Sequence, residues 1–177
     1  MTKVLIVEGS QRKDGNSDAL CREFERGAVE AGHEVEKIYL RDLAIGNCRA
    51  CDACRKTGAC VQKDDGDGLL GRMLDADAIV LATPVYFYSM SGWMKTAIDR
   101  MLPRYTELAG KAFYFIATAA AGRSAMSRTM DALRGFTDCI DGAVVAAEIY
   151  GSGAWEKGAI EGNPALAEAY EAGRAVK

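Results

Sequence analysis

Cys48, Cys51, Cys54 and Cys60 follow the pattern C-x2-C-x2-C-x5-C, four thiols within thirteen residues of a 177-residue chain. Three chemistries suit that spacing. A cubane iron-sulfur cluster needs four thiolates around one body, and Ala50, Ala53, Gly58 and Ala59 keep the intervening loop small enough to fold around it. Zinc also takes four cysteines, more usually from two separated C-x-x-C knuckles than from one tight triplet. Thiols that hold no metal but change redox state are the third reading. The run departs from that of bacterial ferredoxins, because five residues rather than three precede Cys60 and Val61 rather than proline follows it. Cys21 and Cys139 lie outside the cluster and read as buried structural thiols.

A second group with chemical potential is Gly9-Ser10-Gln11-Arg12-Lys13-Asp14-Gly15-Asn16-Ser17, which follows a short apolar run and precedes an amphipathic helix pattern. A phosphate placed there meets free backbone N–H groups, the positive end of a helix dipole, two hydroxyls and Arg12. It is no Walker loop, since five residues separate Gly9 from Gly15 and Asn16 stands where lysine is required; no G-x-G-x-x-G is present either. The plainer alternative is a strand-to-helix turn with Asn16 or Ser17 as N-cap. Further on, Thr83-Pro84-Val85-Tyr86-Phe87-Tyr88 closes another apolar run, where it serves either as packing or as peptide groups against the edge of a flat ring.

Some groups that invite attention have simpler roles. Asp64, Asp65 and Asp67 lack the glycine spacing and distal glutamate of an EF-hand and read as caps for the next helix. The single histidine, His33, sits among polar neighbours at a helix exit, which excludes a Ser-His-Asp triad. Lys95, Asp99 and Arg100 read as a solvated or subunit-facing helix surface.

The elements that must position these residues are legible as hydrophobic runs. Val4–Val7, Ala78–Ala82, Ala112–Thr118 and Ala143–Tyr150 are strands buried on both faces, and Val35–Leu40, interrupted by Glu36 and Lys37, is an edge strand. Between them lie helical patterns: Leu20 to Ala31, closed by Gly32, then Met90–Leu102, Ser124–Phe136 and Ala165–Ala175. Alternating strands and helices predict an α/β fold, a three-layer α/β/α sandwich with a five-stranded parallel sheet in the flavodoxin-like order 2-1-3-4-5 and a ligand site beside the switch point. One domain is expected over residues 1–177, with a cysteine-rich loop at about 44–67 that is too long for an ordinary connection.

Composition narrows the classes. Apolar residues at 49% and charged residues at 27% exclude intrinsic disorder, and a net charge of -3 argues against a basic footprint for nucleic acid or acidic lipid. The longest uncharged stretch, Ala78–Met94, contains Pro84 and Gly92 and falls short of the ~20 apolar residues of a spanning helix. MTKVLIVEGS lacks the apolar core of a signal peptide, so a cytoplasmic setting with reduced thiols and no membrane partner is expected.

GSQRKDGNS, the cysteine cluster and DADAIVLATPVYFYSMSGWMKTAIDR, in that order, resemble the NAD(P)H-dependent FMN reductase group of flavodoxin-like proteins, and within it most nearly the iron-sulfur flavoproteins. The similarity runs from Lys3 to about Met101 and more thinly through Trp155-Glu156-Lys157-Gly158 to the C-terminal helix. The resemblance implies FMN, with its phosphate at Ser10, Arg12, Asn16 and Ser17 and its ring flanked by Pro84, Val85, Tyr86 and Phe87. Ala120 and Gly122, in the loop after the fourth strand, would lie near the pyrimidine end of the ring. It also implies a 4Fe-4S cluster on Cys48, Cys51, Cys54 and Cys60.

The activity implied is an FMN-dependent NAD(P)H oxidoreductase that passes electrons from a reduced nucleotide or redox protein to an acceptor. No catalytic side chain is needed, because the chemistry is the flavin's. An electron carrier without turnover of its own is the alternative. Expected partners are a small-molecule reductant or acceptor, a ferredoxin-like redox protein, and a second copy of the chain in a homodimer or homotetramer. The apolar group Tyr86, Phe87, Tyr88, Met90, Trp93 and Met94 would form the contact.

Overall fold

The computed structural model describes all of residues 1–177. In chain order the elements are β1 (Lys3–Glu8), α1 (Asn16–Glu30), β2 (Glu34–Tyr39), α2 (Cys54–Thr57), α3 (Gly66–Asp75), β3 (Ala78–Tyr86), β4 (Ser89–Met90), α4 (Gly92–Asp99), β5 (Ala112–Thr118), α5 (Ser127–Thr137), β6 (Val144–Gly151) and α6 (Pro164–Arg174). The parallel sheet has the order β2-β1-β3-β5-β6, which is 2-1-3-4-5 among the parallel strands.

Successive residues of a strand face opposite sides of a sheet, so the unbroken apolar runs feed two cores. Leu5, Val7, Ile79, Leu81, Phe113 and Phe115 pack with residues of α3, α4 and α5 such as Leu69, Met94 and Leu133. Val4, Ile6, Val80, Tyr114 and Ile116 pack with Leu20, Phe24 and Ala28 of α1 and Ala165 and Ala169 of α6. Helices α1 and α6 touch backbone to backbone: a Cβ on Gly27 would lie 2.1 Å from the Tyr170 carbonyl oxygen, and one on Gly173 2.1 Å from that of Phe24. Strand β2, exposed at Glu34 and Glu36 and paired only with β1, is the edge that its charges indicate.

The structure departs from the sequence expectations at the carboxyl end of β3. The helix expected over Met90–Leu102 begins only at Gly92, because Phe87 and Tyr88 take left-handed backbone angles (φ 50° and 63°) and turn the chain so that Ser89 and Met90 pair antiparallel with Tyr86 and Val85. A sixth, two-residue strand thus joins the five expected. Ser91 then caps α4, its Oγ accepting the Met94 N–H at 3.2 Å. This hairpin also changes the expected apolar contact surface. Met90 and Met94 are buried in their own chain, whereas Tyr86, Phe87, Tyr88 and Trp93 stay exposed. No helix is long and apolar enough to cross a membrane.

Candidate functional site

The loop after β1 is shaped by a close approach to β3. Gly9 donates its N–H to the Ala82 carbonyl at 2.8 Å and accepts the Ser91 hydroxyl at 2.7 Å, and a Cβ on Gly9 would crowd both, at 3.2 Å from Ala82 O and 3.1 Å from Ser91 Oγ. Inside the loop, Ser10 Oγ accepts the Arg12 N–H at 3.1 Å and Arg12 O accepts the Gly15 N–H at 3.2 Å. Helix α1 therefore starts from Gly15 with no side-chain cap, and the N–H groups of Asn16, Ser17 and Asp18 have no acceptor in the protein. An uncapped N-terminus of a long helix carries a partial positive charge and free donors, the requirements of an anion cradle.

That N-terminus opens on a cavity of about 230 Å³ at the carboxyl edge of the sheet. Ser10, Arg12, Asn16 and Ser17 line one side, and Pro84, Val85 and Tyr86 from the end of β3, with Ala120, line another. Two expected residues stand apart from the lining. Phe87 is fully exposed on the hairpin turn, and Gly122 accepts the Ala125 N–H at 3.0 Å in a short turn before α5. Ala119, which opens the loop after the fourth parallel strand, also lines the cavity, as do Thr118 and Ala154, which sequence reasoning passed over. Trp155 lines it too, and the only sign of this was its place in the C-terminal part of the resemblance.

The side chains are held from the second half of the chain. Arg12 Nη1 donates to Trp155 O at 2.9 Å. The Asn16 amide donates to Glu156 O at 2.8 Å and accepts from the N–H groups of Gly158 and Ile160, so this side chain fastens the segment after β6 and offers the cavity its backbone. Beneath the loop lies Glu8, wholly buried, its Oε1 accepting the Ser10 N–H at 3.1 Å. Burial pushes this carboxyl up to about 8; the Ser10 bond opposes the shift, Asp18 adds to it, and Arg41 and Lys37 oppose it.

The cysteine loop is organised by aspartates and one arginine. Asp65 accepts the Ala44 N–H at 2.7 Å, Asp67 that of Cys60 at 3.3 Å, and Asp64 those of Gly46 and Gly66 at 2.9 and 3.0 Å. Of the three expected capping residues, Asp64 meets the start of α3 while Asp65 and Asp67 bind the loop instead. Arg100, read from the sequence as surface, is 2% exposed. It closes a two-pronged pair with Asp64 at 2.7 Å on both prongs and donates to Gly46 O at 2.8 Å. These bonds hold the Asp64 carboxyl well below its ordinary range. Ala50 and Asp52 adopt left-handed angles (φ 51° and 56°), uncommon for non-glycine residues, and bend the loop inward.

Cys48, Cys51, Cys54 and Cys60 all line one hollow, together with Arg100. Lining one hollow is not the convergence on a common centre expected of them. No three side chains of the His, Cys, Asp or Glu types close on a point as a single metal ion requires. Thiols exert no attraction on one another that would close them, and Cys48 and Cys51 sit exposed on the rim. Cys21 is buried as expected; Cys139, expected to be buried, is exposed.

Comparison with known proteins adds three findings. Residues 2–156 match the family model described as NADPH-dependent FMN reductase. An iron-sulfur flavoprotein of Archaeoglobus fulgidus is 42% identical over 105 residues, 57% of this chain and 46% of that protein, and one of Methanocaldococcus jannaschii is 40% identical over 101 residues, 57% and 52% of the two chains. This chain thus spans about half the length of the curated relatives it matches. Among solved structures, an azoreductase of Bacillus anthracis superposes with a TM-score of 0.79 at 18% identity, over 99% of this chain and 100% of that one, which establishes the shared flavodoxin-like fold.

Proposed function

The chain belongs to the NADPH-dependent FMN reductase family, which its match over residues 2–156 establishes, and from that membership we propose that it is an FMN-dependent oxidoreductase using reduced nicotinamide nucleotide. The observation that carries this reading is the uncapped N-terminus of α1 opening on a cavity whose other wall is the end of β3. The donors suit a phosphate ester. Free N–H groups of Asn16 to Asp18, the hydroxyls of Ser10 and Ser17 and the guanidinium of Arg12 would hold it. The peptide groups of Pro84, Val85 and Tyr86 would border the ring, with Phe87 beyond them and Ala120 and Gly122 toward its pyrimidine end.

Bound FMN supplies the hydride acceptor and the exchange of electrons in pairs or singly. The chain's part is to fix the phosphate at one end of the cavity and to border the ring at the other. No side chain of the cavity is assigned a proton-transfer role.

The cysteine hollow we assign to a 4Fe-4S cluster on Cys48, Cys51, Cys54 and Cys60. Two things support this: four thiols on one hollow and the names of the iron-sulfur flavoproteins that this chain resembles. Such a cluster supplies one-electron exchange near the surface, where a redox protein has access. Six unpaired cysteines suit a reducing compartment such as the cytoplasm. A homodimer or homotetramer would cover Tyr86, Phe87, Tyr88 and Trp93.

Anaerobic mixing of the purified protein with NADH or NADPH tests the activity. Rapid bleaching of the flavin absorbance is expected with at least one, and inertness toward both leaves an electron carrier. Iron and sulfide analysis tests the cluster: near-stoichiometric iron and sulfide are expected, lost in Cys51→Ala with FMN retained, and zinc without sulfide decides for the other metal.

A further inference from the structure

Arg100 is the only fully buried cation of the molecule, and its side chain lines the hollow of the four cysteines. Two of its three nitrogens are committed. Nη1 donates to Gly46 O and Asp64 Oδ2, and Nη2 to Asp64 Oδ1. Nε is buried and has no acceptor anywhere in the protein. Buried donors are nearly always paired, since leaving one unmet forfeits its hydration with nothing in return. Asp64 has no capacity to spare, as its two oxygens also take the N–H groups of Gly46 and Gly66.

A sulfur acceptor, Cys60, lines the same hollow as Arg100. The hydrogen bonds to Asp64 are the main cause of the raised pKa of the guanidinium, and the Cys60 sulfur adds to it. The Gln62 N–H approaches Cys60 Sγ at 3.5 Å. The sulfur at this corner of the hollow thus has one donor from the loop itself, and Arg100, the residue after α4, lines the same hollow.

We propose that Arg100 is a positioning residue of the cysteine hollow: its free Nε–H is reserved for the sulfur of a cluster-bound Cys60, and through that bond it raises the reduction potential of the cluster. The inference rests on the four-thiol cluster reading above. Its physical basis is that a reduced cluster carries more negative charge on its sulfurs than an oxidised one. An N–H donor or a nearby cation therefore favours reduction. Asp64 opposes this, because its carboxylate neutralises the guanidinium from the far side while holding it in place.

Two substitutions are expected to act in opposite directions. Arg100→Gln removes the charge and the Nε–H and shifts the midpoint potential to more negative values. Asp64→Asn leaves the guanidinium uncompensated, keeps an oxygen for the loop N–H groups, and shifts the potential to more positive values. The measurement is an anaerobic redox titration of the full chain, followed by electron paramagnetic resonance, with iron and sulfide determined on the same samples. If Arg100 only ties the loop together, both variants lose iron while the remaining cluster keeps the wild-type potential, and the proposal fails. Shifts of the same sign overturn it too, since they indicate a distorted loop. Should Arg100→Gln not fold, Asp64→Asn decides alone, and an unchanged or lowered potential rejects the proposal. Wild-type protein without iron and sulfide overturns the cluster reading itself, an outcome distinct from a loaded cluster whose potential ignores Arg100.

Discussion

The hydroxyls of Ser17 and Thr118 meet at 2.7 Å in the floor of the cavity, both buried, and join the first turn of α1 to the end of β5. Residues a hundred positions apart in the chain thus set the distance between the anion cradle and the rest of the carboxyl edge. Thr118→Val keeps the shape but strands the Ser17 hydroxyl, so a loss of about 1–3 kcal/mol is expected in urea denaturation, with part of it recovered when Ser17→Ala is added. A Thr118→Val protein as stable as wild type would show that the pair contributes nothing.

Arg12 bears on affinity for the phosphate rather than for the ring. Arg12→Ala should weaken FMN by roughly tenfold or more, the worth of one charge-assisted hydrogen bond, and leave riboflavin nearly unaffected. Fluorescence titration with both flavins measures this. Equal losses would place the phosphate elsewhere.

Glu8 makes stability depend on pH. Folded, it keeps its proton to about 8, against an ordinary value of 4.5, so between those values the native chain binds more protons than the unfolded one. Stability from this group is complete below about 4.5 and is lost as pH rises to about 8, by at most about 1.4 kcal/mol per pH unit. Glu8→Gln still offers an oxygen to the Ser10 N–H and cannot ionise. Thermal melts from pH 5 to 9 should therefore show a flatter profile for it and a higher melting temperature than wild type at the alkaline end; parallel profiles would dismiss this account.

The α1–α6 contact tolerates no side chain. Gly173→Ala should cost about 1–3 kcal/mol or prevent folding, because its Cβ would collide with the Phe24 carbonyl rather than with a movable side-chain tip. Gly71, inside α3, has open space around it, and Gly71→Ala should stabilise by about 0.5–1 kcal/mol through helix propensity. Chemical denaturation of the two variants should move in opposite directions.

Self-association should follow from the hairpin. Phe87 and Tyr88 are held outward by their left-handed turn beside exposed Tyr86 and Trp93, next to an apolar groove of about 720 Å³ between α4, α5 and the cysteine loop. Light scattering at micromolar concentration should give a multiple of 19.0 kDa, reduced toward the single-chain mass in Phe87→Ser. A wild-type monomer carrying FMN with full activity contradicts this.

The strands and their order were legible in the residues because a sheet covered on both faces demands unbroken apolar runs, and Val4–Val7, Ala78–Ala82 and Ala112–Thr118 have no other use. The anion loop and the four cysteines were legible because their chemistry depends on local spacing. What the tertiary structure alone decided are meetings between distant segments. Nothing local distinguishes Arg100 from a surface arginine; its burial follows from the cysteine loop folding back to bring Asp64 and Gly46 against it. Thr118 and Ala154 reach the cavity because parallel strands end at one edge, so that loops far apart in the chain become neighbours. Met90 and Met94 turn inward because a two-residue hairpin, whose φ angles no hydrophobic period announces, rotates the start of α4. Periodicity records which face of an element is dry, whereas the partner that a polar group finds depends on chain crossings that no single segment encodes.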